Sequence, residues 1–244
     1  MVSIFKLKDS FGLAIKPRTK SANKEYKMQS ELLHMQEHTI ISLSSLVENR
    51  DSDTGAHIKR TSKYIGLLAK RAAEKGLYTF LLTDSYIELL QKAAPLHDIG
   101  KIVVPDSILK KPEKLTDEEF DIMKQHTVRG SQIVQEVVGV SEDKKYVKTA
   151  CDIALYHHEK WNGNGYPRGL KGKQIPVCAR IMALADVFDA LVTKRCYKEA
   201  MSMDLAFQII KNEAGNQFDP QLAEIFVELK PQLEEIALTY QDAK

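Results

Sequence analysis

The sequence contains no apolar stretch approaching the roughly 18 residues of a membrane span. It has only three cysteines in 244 residues, Cys151, Cys178 and Cys196. Odd in number and widely spaced, they make neither a disulfide framework nor a thiolate zinc site, and they suit a reducing cytosol. There is little charge bias, with a formal net charge of +2. Nothing in the composition therefore points to DNA or RNA as a partner, and any basic site must be local. No convincing run of alternating strand residues occurs, nor any internal repeat or low-complexity tract. A GxSxG elbow and a GxxxxGK[ST] phosphate loop are both missing, which argues against serine-hydrolase and ATP chemistry. The opening MVSIFKLKDSFGLAIKPRTK breaks every apolar run with charge. It does not read as a signal peptide, and a cytoplasmic location is expected. Residues 1–25 are expected to be a poorly ordered tail, with a basic membrane-surface segment as the alternative.

What the chain does contain is helical periodicity nearly throughout. At 43% apolar and 28% charged residues it has the make-up of an ordinary globular domain. Its length suffices for a core without disulfide staples. A long helix is expected from about Tyr26 to Glu48, in a segment spanning 26–50. Leu33, Ile40, Leu43 and Val47 fall near heptad spacing there, and Leu32, Ile41 and Leu46 widen the stripe. The stripe packs on the domain or, in the alternative reading, makes a two-stranded homodimer contact. Further helices are expected at 53–75, 84–97, 131–138, 144–158 and 177–191. Others should start at the capping box Thr116-Asp-Glu-Glu119, at Ser202 and at Asp219-Pro220. Residues 159–176 hold four glycines and two prolines. They read as a long loop, and long ordered loops are often functional. The expected fold class is all-α: a multi-helix bundle over 51–244 with a metal site in its core, preceded by the long helix.

Two fragments carry the chemistry, HDIGK at 97–101 and HHEKWNGNGYP at 157–167. Adjacent His-Asp pairs a neutral nitrogen with a hard carboxylate, and adjacent His-His offers two more nitrogens. The candidate ligands are His57, His97, Asp98, His126, His157, His158 and Asp186. They come from several helices, which is how bundles build metal sites in their cores. Each histidine alone reads best as a packed core residue; together they support one another. Five imidazoles and two carboxylates, one of them bridging, match two metal ions with positions left for water. Such a mixed set suits iron, manganese or zinc and excludes a soft thiolate site. Asp53 lies four residues before His57. It either adds a ligand, accepts a hydrogen bond from the histidine, or is a helix-start acid favoured by the dipole. Lys101, three residues beyond Asp98, faces the site if the helix continues through Gly100.

These blocks resemble the HD-GYP family, a branch of the HD phosphohydrolases. The matching runs are TGAHIKR (54–60), LHDIGKIVVPDSILKKPEKLT (96–116), KQHTVRG (124–130), HHEKWNGNGYPRGLKGKQIP (157–176), RIMALADVFDALVTKRCYKEA (180–200) and GNQFDP (215–220). The resemblance implies an HD-type helical bundle that hydrolyses a bacterial cyclic dinucleotide, chiefly cyclic di-GMP, to the linear dinucleotide and on to GMP in some cases. By the same resemblance, His57, His97, Asp98 and Asp186 hold one metal ion, and His126, His157 and His158 hold a second, with Asp98 bridging. Iron or manganese are the expected ions, with zinc or another divalent ion as alternatives. Some members bind a third metal through a Glu where this chain has the shorter Asp53, which argues against a third ion here. Lys101 would bind phosphate and, with Asp98, form the catalytic pair. Asp189, Arg195 and Lys198 would reach the guanine base and phosphate. Gly165, Tyr166 and Pro167 would shape the mouth and contact the substrate. The resemblance also links this loop to diguanylate-cyclase-type partners. The competing reading is a non-catalytic module that binds a dinucleotide or a cyclase through the GYP loop.

Overall fold

Helix dominates because the 3.6-residue apolar period persists from one end of the chain to the other. The computed structural model describes residues 20–51, 56–139, 141–193 and 200–241. In order they form α1 (Lys20–Asp51), α2 (His57–Glu74), α3 (Asp84–Ala93), α4 (Asp106–Leu109), α5 (Asp117–Val138), α6 (Lys144–Tyr156), α7 (Val177–Val192), α8 (Met203–Asn212), α9 (Pro220–Glu228) and α10 (Lys230–Thr239). Short 3-10 turns at Ala94–Leu96, Ile99–Val103 and Gly172–Gln174 complete the set. No strand occurs among the described residues; one isolated bridge joins Ala214 and Phe218. No described helix is long and apolar enough to cross a membrane.

Residues from Thr39 onward form one compact unit, and the described residues before it, 20–38, belong to another. In the second unit a continuous core runs through Tyr64, Ile65, Leu68, Leu90, Ile153, Met182, Leu184, Phe188 and Phe226. The Phe188 ring meets Tyr64 edge-on at 5.3 Å and packs against Phe207 at 4.9 Å. Residues such as Leu184 and Phe188 are fully buried on α7, the central helix that also carries Asp186 and Asp189.

Several expected boundaries hold and others move. The Thr116–Glu119 capping box forms, and α5 runs unbroken through Gly130 to Val138. Asp219 caps α9 by accepting from the backbone N–H groups of Gln221 and Leu222, with Pro220 in the first turn. The helix expected over 84–97 stops at Ala93, and two 3-10 turns follow, with Pro95 inside the first. Proline cannot donate to the preceding turn, so the α-ladder ends there. The long helix starts at Lys20, earlier than expected. Its stripe is only partly packed: Val47 is buried and Ile40 leans on the core, whereas Leu43 and Leu46 are exposed. The side chains of Leu32 and Leu33 lie outside the described residues.

Candidate metal centre

His97 and Asp98 occupy the junction between the first two 3-10 turns. His97 caps one, and Asp98 opens the next with φ −107° and ψ 9°. A 3-10 turn eclipses residues i and i+3. Lys101 therefore stands directly over Asp98, with Nζ 2.7 Å from Oδ2. Gly100 is what lets this segment press on α5: a Cβ there would lie 1.9 Å from the His126 carbonyl oxygen and 2.5 Å from the Gly130 nitrogen. That close approach brings His126 to Asp98.

The two Asp98 oxygens face in different directions. Oδ2 lies 3.3 Å from His97 Nε2, while Oδ1 lies 3.3 Å from His126 Nε2 and 3.5 Å from His157 Nε2. The ligand atoms fall into two groups able to hold an ion: His57, His97 and Asp186; and Asp98, His126, His157 and His158. In the first, His57 Nε2 is 3.4 Å from His97 Nε2 and 3.8 Å from Asp186 Oδ1. All seven residues expected as ligands are thus brought together. Asp98 Oδ1, His126 Nε2 and His157 Nε2 are buried and lack a hydrogen-bond partner among the described residues. Buried polar atoms without partners are costly. Three of them converging, one anionic and two imidazole, is the donor set a divalent cation satisfies, so the residues fit a metal.

The charges in the cleft act on one another. Burial works against charge on Asp98, but Lys101 and His97 outweigh it and hold its carboxyl well below the usual range. Burial also opposes a proton on His97, yet Asp98, Asp186 and Glu48 overcome this and raise its pKa to about 9. His57 moves in the same direction, because Asp189 and Glu48 prevail over burial. His126 goes the other way: burial lowers it to about 4. Burial, with His157 and His126 alongside, lowers His158 too.

The loop between α6 and α7 lies against His158. Tyr166 stacks on His158 at 4.9 Å and 31°, and its backbone N–H donates to the His158 carbonyl. The Tyr166–Pro167 bond is cis. Gly165 is required here, since a Cβ would lie 2.2 Å from the Lys160 nitrogen. Trp161, in this loop, has the Arg180 guanidinium 5.7 Å from its ring centroid. The GNQFDP segment holds the loop's other flank, with the Gln217 and Asn216 carbonyls accepting from the N–H groups of Trp161 and Asn162.

Asp189 departs from expectation. It is 1% exposed and holds His57 and Arg60, so it cannot reach a base from where it sits. Helical spacing put it one near-turn after Asp186 but could not say that α2 covers it. Asp53, Arg195 and Lys198 lie outside the described residues. Several contributing residues had no sequence signal. Glu159 is buried and accepts from the N–H groups of Arg168 and Leu170, bracing the loop. Phe120 meets Tyr166 edge-on at 5.8 Å. Arg50, on α1, donates to the carbonyls of Lys101, Ile102 and Val104, at the end of the 3-10 turn that carries Lys101. Each reads in sequence as one more surface charge or apolar helix residue.

The family model described as HD domain matches residues 27–222. The chain belongs to the HD-domain family. The GYP at 165–167, seated on His158 as above, is among the residues on which the resemblance to HD-GYP proteins rests. It is 48% identical over 218 residues to a cyclic di-GMP phosphodiesterase of Vibrio cholerae, covering 88% of this chain and 44% of that protein. A cyclic di-GMP phosphodiesterase of Thermotoga maritima is 41% identical, with 80% of this chain and 49% of that protein covered. A 3'3'-cGAMP-specific phosphodiesterase of V. cholerae is 37% identical, with 81% and 35% covered. The chain therefore spans half or less of these relatives' lengths. Among solved structures, a cyclic GMP-AMP specific phosphodiesterase of V. cholerae superposes with TM-score 0.55 at 20% identity, over 82% of this chain and 50% of that one. The HD-GYP-type protein Bd1817 of Bdellovibrio bacteriovorus gives 0.52 at 21%, over 73% and 52%. These likenesses bear on the HD-domain fold.

Proposed function

We propose that the chain is a metal-dependent phosphodiesterase that opens a cyclic dinucleotide, cyclic di-GMP first, to the linear dinucleotide. The observation that carries this reading is Asp98, whose two oxygens address two separate histidine groups. The names of the relatives supply the substrate class. We assign two transition-metal ions because the donors mix imidazole with carboxylate, and iron or manganese because the family resemblance implies them. His57, His97 and Asp186 would hold one and His126, His157 and His158 the other, with Asp98 shared. When bound, such a pair activates water and offsets charge on the phosphoryl oxygens.

The chain's own residues do the rest. Lys101 supplies a cation beside Asp98, suited to a non-bridging phosphate oxygen. Tyr166, with Phe120 beyond it, extends an aromatic surface outward from His158, suited to stacking a base. Gly165 and Pro167 hold that tyrosine at the mouth. Arg195 and Lys198 are proposed to grip the second phosphate and base edge. Surface roles for the GYP loop toward diguanylate-cyclase-type proteins, and for α1 in a homodimer, are secondary proposals.

The test is product chromatography after reconstitution with manganese or ferrous iron, comparing cyclic di-GMP with 3'3'-cGAMP. Linear dinucleotide from cyclic di-GMP is the expected product. A fully loaded protein that leaves both substrates intact overturns the reading.

A further inference from the structure

Three of the buried histidines solve the same problem in the same way. His97 Nδ1 pairs with the Ala94 carbonyl at 2.9 Å, His126 Nδ1 with Met123 at 2.7 Å, and His157 Nδ1 with Ile153 and Ala154 at 3.0 and 3.1 Å. Each acceptor lies three or four residues back, in the preceding helical turn. His57, the first residue of α2, has a different Nδ1 partner. Its Nδ1 instead meets Asp189 Oδ2, from α7, at 2.8 Å. The carboxylate is held in turn by Arg60, one turn along α2 from His57. Nε donates to Oδ1 at 2.6 Å and Nη2 to Oδ2 at 2.9 Å. Arg60 is 3% exposed, and it also donates to Thr193 Oγ1 at 3.1 Å and to the Tyr240 carbonyl at 2.8 Å.

We propose that Asp189 and Arg60 are a positioning pair for His57, making the metal position of His57, His97 and Asp186 unlike that of Asp98, His126, His157 and His158. This rests on the metal-binding reading above. A carboxylate on Nδ1–H fixes the tautomer, aims the Nε2 lone pair at the neighbouring ligands and makes it a stronger donor than a carbonyl does. The guanidinium fork keeps the buried carboxylate anionic and in plane. Losing such a partner typically costs ten- to a hundredfold in metal affinity. Here the loss should fall on one ion of the two, since no histidine of the other group pairs with Asp189 among the described residues.

The experiment is calorimetric titration of the chelator-stripped full chain with Mn²⁺, alongside elemental analysis after dialysis. The wild type is expected to take up two ions. In Asp189→Asn one affinity should fall about ten- to a hundredfold while the other stays put. Arg60→Lys keeps the charge but loses the fork, and should weaken the same ion less. It also serves if Asp189→Asn does not fold. Nitrogen-15 spectra of the metal-free chain, taken at a pH where the His57 ring is neutral, give an independent readout: the Nδ1–H tautomer should be pure in the wild type and mixed in Arg60→Lys. Two ions bound with unchanged affinities in folded Asp189→Asn, both weakened equally, or an unaltered tautomer in Arg60→Lys, each overturn the pair alone. A wild type that takes up no ion overturns the metal-binding reading and the pair with it.

Discussion

Asp98 presents one oxygen to His97 and the other to His126 and His157, so its loss should be felt at both metal positions. Asp98→Ala is expected to bring metal content from about two ions per chain to near zero, against a partial loss for His126→Ala, by elemental analysis. Lys101→Ala removes one charge-assisted hydrogen bond, about 1.5–3 kcal/mol. Turnover of both a cyclic dinucleotide and a small chromogenic diester should drop about ten- to a hundredfold in steady-state kinetics. The histidines also make a pH prediction. With its pKa raised to about 9, metal-free His97 still carries its proton at pH 8, whereas His126, lowered to about 4, does not. A metal ligand must be deprotonated. Metal uptake at pH 8 should therefore release at least about one proton per chain, fading toward pH 10, as read by calorimetry in buffers of different ionisation enthalpy. Equal release at both pH values would contradict this ordering.

At the scale of elements, the site depends on one glycine and one acid that hold segments together. Gly100 lets the 3-10 turn lie against α5, where a methyl group would collide with backbone rather than with a movable side chain. Gly100→Ala should cost about 1–3 kcal/mol or more by overpacking, seen as a lower melting temperature together with weaker metal binding. Glu159 ties the loop through the N–H groups of Arg168 and Leu170. Glu159→Ala should leave metal content unchanged, raise KM for the dinucleotide and speed proteolytic cutting between 160 and 175. An unchanged KM would show that the loop's order does not matter to substrate.

For the whole molecule, Thr39–Lys244 is the unit that contains the site. A chain starting at Thr39 should keep its melting temperature and metal content. A chain starting at Ala56 loses the buried Val47 and Glu48 and the three carbonyl contacts of Arg50. Destabilisation by several kcal/mol and weakened metal retention are expected, from lost burial and from the lost Arg50 hydrogen bonds. Thermal melts and elemental analysis of the two truncations give the comparison.

Some of this was legible in the residues alone. The all-helical class, the caps at Thr116, Ser202 and Asp219, and the seven candidate ligands follow from local periodicity, capping chemistry and ligand type, which depend on near neighbours in the chain. What Asp189 touches does not. Its spacing from Asp186 gave it a place near the site. Only the packing of α2 on α7 set it beneath His57, beside Arg60 and away from solvent. Likewise the partners of Arg50 and Glu159 lie tens of residues off or across a loop, and the break of the helix at Pro95 into 3-10 turns became decisive only once Gly100 met α5. Chemistry and helical period are properties of short segments, whereas burial and hydrogen-bond partners are properties of which segments meet, and that is decided by the core as a whole.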